Sequence, residues 1–111
     1  RVQIQQVLLN LIRNGMEAMD SLPDEERLLT VRTEVDEDSI RVSVSDNGLE
    51  LDEQTTSRLL EPYFTTKKSG LGLGLAICRT IIESHAGQIA VSRNKVRGLT
   101  VAFTLRKSGS A

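Results

Sequence analysis

From Val2 to Met19 apolar residues recur at Val7, Leu8, Leu11, Ile12 and Met16, with Ala18 and Met19 behind them. That spacing predicts a helix with one wide apolar face. Asp20-Ser21-Leu22-Pro23-Asp24-Glu25-Glu26 then ends it in a solvated loop. Next the period changes to two. Leu29, Val31, Thr33 and Val35 share one face of Leu28–Val35, and Ile40, Val42 and Val44 one face of Ser39–Ser45. With the acidic turn Asp36-Glu37-Asp38 between them, these predict an antiparallel hairpin with one covered face. Glu53–Leu60 reads as a short helix with Asp52 as its N-cap and Pro62 as its stop. A further helix is predicted over Leu73–Ser84, then strands over Gly87–Val91 and Leu99–Leu105 joined by an Asn94–Gly98 turn. The order of elements predicts an α/β fold, a two-layer sandwich whose mixed, mostly antiparallel sheet is covered on one face by helices.

A chain of 111 residues has room for one modest core. The expected organisation is one domain over residues 1–105 and a flexible tail over 106–111. Lys plus Arg is 14 against 15 Asp plus Glu, a net charge of −1, which gives no electrostatic case for nucleic acid or a membrane surface. Cys78 is the single cysteine, so an intrachain disulfide and a multi-cysteine zinc site are excluded. Its place in an apolar run fits a small buried hydrophobe. No signal peptide or membrane-spanning run is visible. The uncapped start and the polar, small-residue end give the look of a module excised from a longer chain.

The chemistry concentrates in four places. Gly70-Leu71-Gly72-Leu73-Gly74-Leu75-Ala76-Ile77 runs from alternate glycines into a helix, an arrangement in which backbone N–H groups at a helix start can hold phosphates. It is neither a Walker loop nor a dinucleotide fingerprint. Asn10 and Asn14 stand one turn apart on the first helix. Asp46-Asn47-Gly48 delivers a carboxylate at a strand end. Tyr63-Phe64, two of only three aromatics, precede Thr65-Thr66-Lys67-Lys68-Ser69, a polar stretch suited to a lid with an aromatic anchor. Each has a plainer alternative on its own: a tight turn, a pair of helix-surface amides, Asp-Asn-Gly turn chemistry, and a solvated loop.

Together, in this order, they resemble the ATP-binding catalytic domain of a sensor histidine kinase, within the superfamily shared with gyrase, the large heat-shock chaperone and mismatch-repair ATPases. Gln6 to Gly15 resembles the N box, Asp46-Asn47-Gly48 the first glycine box, Glu61 to Lys67 the F box and Gly70 to Leu75 the second glycine box. The Thr-Thr-Lys form of the F box is similar to nitrogen-regulation and oxygen-sensing kinases of rhizobial type. The resemblance implies ATP and Mg²⁺ as cofactors. Asp46 would accept a hydrogen bond from the adenine amino group. Asn14 would hold Mg²⁺ and Asn10 would face the phosphates. Gly48, Phe64, Gly70, Gly72, Leu73 and Gly74 would complete the nucleotide site. Lys67, or its neighbour Lys68, would meet the outer phosphate, plain lid solubility being the alternative. Asn10, Asn14 and Lys67 are thus the implied catalytic set. Arg58 is a further candidate for phosphate, and Glu17 for a Mg²⁺-bound water. His85, at a helix end, would be structural, the phosphoacceptor histidine lying in a separate dimerisation domain.

That domain is the implied partner, with a response regulator reached through the parent kinase. The fragment itself is expected to be monomeric and cytoplasmic, without direct membrane contact. Glu50 stands where the family has a second glycine, Leu71 where threonine is common and Gly15 where alanine is usual. Glu50 motivates the alternative of a degenerate interaction module with weak nucleotide binding. A third alternative, an ATP-driven conformational switch, meets the difficulty that an amide at Asn10 cannot take a proton from water.

Overall fold

The computed structural model describes residues 2–20, 22–48, 52–61 and 74–106. The period-two segments form β1 (Leu29–Val35), β2 (Ser39–Asp46), β3 (Gln88–Arg93) and β4 (Leu99–Arg106), and the 3.6-period segments form α1 (Val2–Ala18) and α3 (Gly74–Ser84). A short helix, α2 (Glu53–Ser57), follows β2, and a single 3₁₀ turn spans Asp24–Glu26. The strands lie in the order β1-β2-β4-β3, and every pairing among them is antiparallel.

Register aligns the apolar positions into one face. Val31, Val44, Val101 and Val91 form one row across the sheet, and Thr33, Val42, Phe103 and Ile89 the next. Against this face pack Val7 and Leu11 of α1 and Cys78 and Ile82 of α3, which with Val44 and Phe103 make the core. Val7, Leu11, Ile82 and Phe103 lose almost all exposure, each contributing about 1.5–3 kcal/mol. The opposite face is polar and small at its centre, where Ser43 lies opposite Ala102. Arg41 pairs with Glu34 at 3.1 Å on its exposed rim, worth at most about 1 kcal/mol.

Three local outcomes depart from the sequence expectation. The covered face of the β1–β2 hairpin is covered only in part: Leu29 is half-buried, yet Val31 and Val35 are 45% and 64% exposed. β1 is an edge strand, and the helices pack mainly over β2 and β3, short of its far end. α2 begins as expected, with Asp52 accepting from the Thr55 N–H at 2.7 Å, a bond that holds its carboxyl below the usual range. It ends at Ser57 instead of Leu60. Thr56 and Ser57 hydroxyls bond back to the Asp52 and Gln54 carbonyls, which competes with helix propagation. At the end of α3, Gly87 suits either a left-handed C′ position or a strand start, but Ala86 takes the left-handed conformation, at φ 61°. Ala86 N–H donates to Glu83 O at 3.0 Å and Gly87 N–H to Ile82 O at 2.9 Å, the paired bonds of a Schellman motif. Glycine is needed at 87 for space, since a Cβ there would overlap Thr104 O. β4 also continues through Arg106, which pairs with Ser39.

Candidate functional site

Asp46 closes β2, and its two carboxylate oxygens have different surroundings. Oδ1 accepts the Gly48 N–H at 2.8 Å and the Leu99 N–H at 3.4 Å. Oδ2 has no hydrogen bond among the described residues. Burial pushes this carboxyl above the usual range, the two backbone bonds pulling against it. The rest of the loop is tied down as firmly. Asn47 Oδ1 accepts the Leu28 N–H at 3.0 Å and its Nδ2 donates to Glu26 O at 2.7 Å, so this side chain anchors the approach to β1. Gly48 lies against the end of α1, where a Cβ would overlap Ala18 O.

Helix α1 passes directly over Asp46. A Cβ placed on Gly15 would lie 3.7 Å from Asp46 Oδ2 and 2.6 Å from Leu29 Cδ1. Gly15 therefore brings helix backbone beside Oδ2. Asn14, its neighbour, is half-buried. One turn earlier Asn10, also half-buried, points Nδ2 at Cys78 Sγ of α3 at 3.9 Å, a weak amide–thiol contact. Cys78 is fully buried, and burial pushes its thiol up. It sits about one turn inside α3, so the contact brings Asn10 within about 6 Å along that helix of its first residue, Gly74. A helix start offers its unpaired N–H groups to an anion.

Behind the Asp46 loop stands the β3–β4 turn. Asn94 Nδ2 donates to Asp46 O at 2.7 Å and to Ser45 Oγ at 3.1 Å. Thr100 Oγ1 donates to Asn94 Oδ1 at 2.6 Å, and Arg97 Nε donates to Gly48 O at 2.8 Å. Gly98 has φ 93°, and a Cβ there would overlap Asp46 O. The turn also lines an open cleft of about 620 Å³ facing α2, to which none of Asn10, Asn14 and Asp46 contributes.

Of the residues expected at the site, the structure groups Asp46 and Gly48 with Gly15 at one end of α1, and Asn10 with the start of α3. Phe64, Lys67, Lys68, Gly70, Gly72 and Leu73, with Glu50 and Leu71, lie outside the described residues. Arg58 pairs with Glu61 at 3.2 Å, and Glu17 is exposed on α1. His85 lies at the far end of α3, its Nδ1 2.9 Å from Ile81 O. A carbonyl only accepts, so that nitrogen carries the proton. Sequence reasoning missed Asn94 as a partner of Asp46 and Arg97 as a partner of Gly48, because nothing local in a polar turn tells which distant loop it will touch. Among the described residues no group of three or more His, Cys, Asp or Glu is placed to hold a metal. A single amide oxygen on Asn14 suits Mg²⁺, which keeps several waters and draws its remaining ligands from phosphates.

Residues 1–109 match the family of histidine kinase-, DNA gyrase B- and HSP90-like ATPases. The chain is 47% identical over 107 residues to the sensor protein TdiS of Thauera aromatica, covering 95% of this chain and 20% of that protein. It is 45% identical over 105 residues to the sensor protein FixL of Bradyrhizobium diazoefficiens, covering 95% and 21%. The chain thus spans about a fifth of the length of these curated relatives. The nucleotide-free catalytic domain of the histidine kinase ThkA superposes with a TM-score of 0.81 at 38% identity, over 96% of this chain and 68% of that one. A structure of ThkA with the response regulator protein TrrA gives 0.79 at 33% identity, over 99% and 30%.

Proposed function

Because the chain belongs to the family of histidine kinase-, DNA gyrase B- and HSP90-like ATPases, we propose that it binds Mg·ATP and supplies the γ-phosphoryl group for phosphorylating a histidine on a separate dimerisation domain of a sensor kinase. The observation that carries this reading is Asp46, half-buried, with Oδ1 bonded to the Gly48 and Leu99 N–H groups and Oδ2 without a hydrogen bond among the described residues, beside the α1 backbone. An amino group is the complementary ligand: adenine's 6-amino donates to Oδ2, whereas the 6-oxo group of guanine would set two acceptors face to face.

From that anchor the nucleotide runs along α1 toward α3. The Asn14 amide oxygen would hold Mg²⁺, which would supply neutralisation of phosphate charge. Asn10 gives up its long contact to Cys78 to hydrogen-bond the phosphate side. The N–H groups at the start of α3, from Gly74, receive phosphate oxygens, and Gly70, Gly72 and Leu73 lead into that start. As the resemblance implies, Phe64 would belong to the lid and Lys67 would meet the outer phosphate. An imidazole nitrogen of the partner domain attacks the γ-phosphorus, the bond from that phosphorus to the bridging oxygen breaks, and ADP leaves. The domain contributes positioning and charge stabilisation. Water competes poorly, since the Asn10 amide cannot take its proton.

The unit reaches at least through Arg106, the last residue of β4, and is monomeric on its own and working on the cytoplasmic side. Among the described residues no helix is long and apolar enough to cross a membrane. ThkA has been captured with its response regulator protein, and a response regulator is the proposed downstream acceptor here, reached through the parent kinase.

The test is calorimetric titration of the chain with ADP and a non-hydrolysable ATP analogue, with and without Mg²⁺, for wild type and Asp46→Asn. Saturable binding by the wild type that disappears in a folded Asp46→Asn variant is the expected result. A folded wild type that binds neither ligand overturns the reading.

A further inference from the structure

We infer that Arg97 and Asn94, on the β3–β4 turn, are positioning residues for base recognition, holding the Asp46–Gly48 loop so that Asp46 Oδ2 stays aimed at the ligand's amino group. The inference rests on the reading of Asp46 given above.

The pairing of β2 with β4 stops at Ser45 opposite Thr100. Beyond that rung, no strand ladder on the β4 side carries the loop. Side chains take over: Asn94 Nδ2 holds Asp46 O at 2.7 Å, and Arg97 Nε holds Gly48 O at 2.8 Å. These two carbonyls flank Asn47 and the Gly48 N–H that Asp46 Oδ1 accepts. Asp46 Oδ1 is bonded to the Gly48 N–H of the same loop, so the carboxylate turns when the loop turns. A shift of Gly48 therefore moves Oδ2 as well.

Asn94 is itself oriented. Its Oδ1 accepts from Thr100 Oγ1 at 2.6 Å, which leaves the amide's donor end facing Asp46 O. Gly98, at φ 93° and with no room for a Cβ against Asp46 O, lets the turn lie flat on this backbone. Arg97 forms no ion pair among the described residues, and its side chain is otherwise exposed. Its one side-chain hydrogen bond among the described residues goes to the loop. Ordering so long a side chain for a single carbonyl costs conformational entropy, so the contact adds little to folding and its consequence is the placement of the loop.

The experiment compares wild type, Arg97→Ala, Arg97→Lys and Asn94→Ala in the 111-residue chain. Two ligands are titrated: ADP, and purine riboside diphosphate, the analogue with hydrogen in place of the 6-amino group. Thermal melting is recorded for each variant. A positioning role predicts that Arg97→Ala raises the Kd for ADP roughly tenfold, leaves the Kd for the 6-deamino analogue unchanged and lowers Tm by no more than about 2 °C. Asn94→Ala behaves in the same way with a larger drop in Tm, and Arg97→Lys recovers part of the ADP affinity. If both ligands weaken together, or neither weakens, the inference is overturned and the turn is only structural. A folded wild type that fails to bind ADP removes the reading of Asp46 itself. Wild-type binding lost in Asp46→Asn keeps that reading, whichever way Arg97 behaves.

Discussion

The corner around Asp46 and the seam around Asn10 lie along the same helix, α1, and are built differently. The corner is cross-linked. Asn47, Asn94, Arg97 and the backbone N–H groups of Gly48 and Leu99 all bond within it, and Gly48 and Gly98 bring backbone into contact. The seam between α1 and α3 is apolar, through Val7, Leu11, Cys78 and Ile82, and it carries the amide–thiol contact of Asn10 with Cys78 at 3.9 Å. The contrast teaches where preorganisation is placed. On the proposed reading, the group that discriminates one base from another is fixed before the ligand arrives, because looseness there weakens discrimination directly. On the proposed reading Asn10 faces phosphate, and its contact with Cys78 is weak enough for a ligand to displace at little cost.

The comparison breaks most completely at Gly98. Gly98→Ala forces a Cβ onto the Asp46 carbonyl at a positive φ, and should destabilise the domain by roughly 3 kcal/mol or more. Chemical denaturation measures this, and a loss below about 1 kcal/mol would mean the corner is not rigid.

Asp46→Asn is expected to separate function from folding. ADP affinity should fall roughly 10- to 100-fold, because an amide donor replaces the acceptor. Stability at pH 7 should hold or rise, since the amide oxygen can still accept from Gly48 and Leu99 and no charge is buried. The sign follows from the raised carboxyl, whose folded value lies above the usual 3.8. Ionised Asp46 thus lowers stability, with the penalty complete above the folded value and absent below the unfolded one. The difference in Tm between variant and wild type should shrink as pH is lowered through that window. A variant equally destabilised at pH 7 and at low pH would contradict it.

Smaller effects sharpen the contrast. Ala86→Gly removes the steric cost of the left-handed conformation at the end of α3, and should stabilise by about 1 kcal/mol. It should leave ADP affinity unchanged, since the motif is remote from Asp46 and from the start of α3. Asn10→Ala should shift stability by less than about 0.5 kcal/mol, the lost contact being weak and alanine the better helix former. A loss above 1 kcal/mol in melting experiments would show the seam to be cross-linked after all.

The elements and the candidate chemistry were legible in the chain because both rest on local rules. Period 3.6 marked α1 and α3, and period 2 marked all four strands. Asp52 announced its cap through its position before a helical run, and Asp46-Asn47-Gly48 stood out as a carboxylate at a strand end. Less legible were the burial of β1, which depends on how far a helix layer reaches, and the left-handed residue after α3. There glycine chemistry pointed to Gly87, while close packing against Thr104 reserved that glycine and left the strained φ to Ala86.

By itself the sequence determined which segments are helix and which are strand, which face of each is apolar, and which residues could carry chemistry. The tertiary structure alone decided what stands beside them: Gly15 next to Asp46 Oδ2, Asn10 against Cys78, and Asn94 and Arg97 gripping a loop 48 and 49 residues away. Periodicity reports only a residue's own burial. Contacts between segments so far apart follow from strand register and helix docking, in which the whole core takes part.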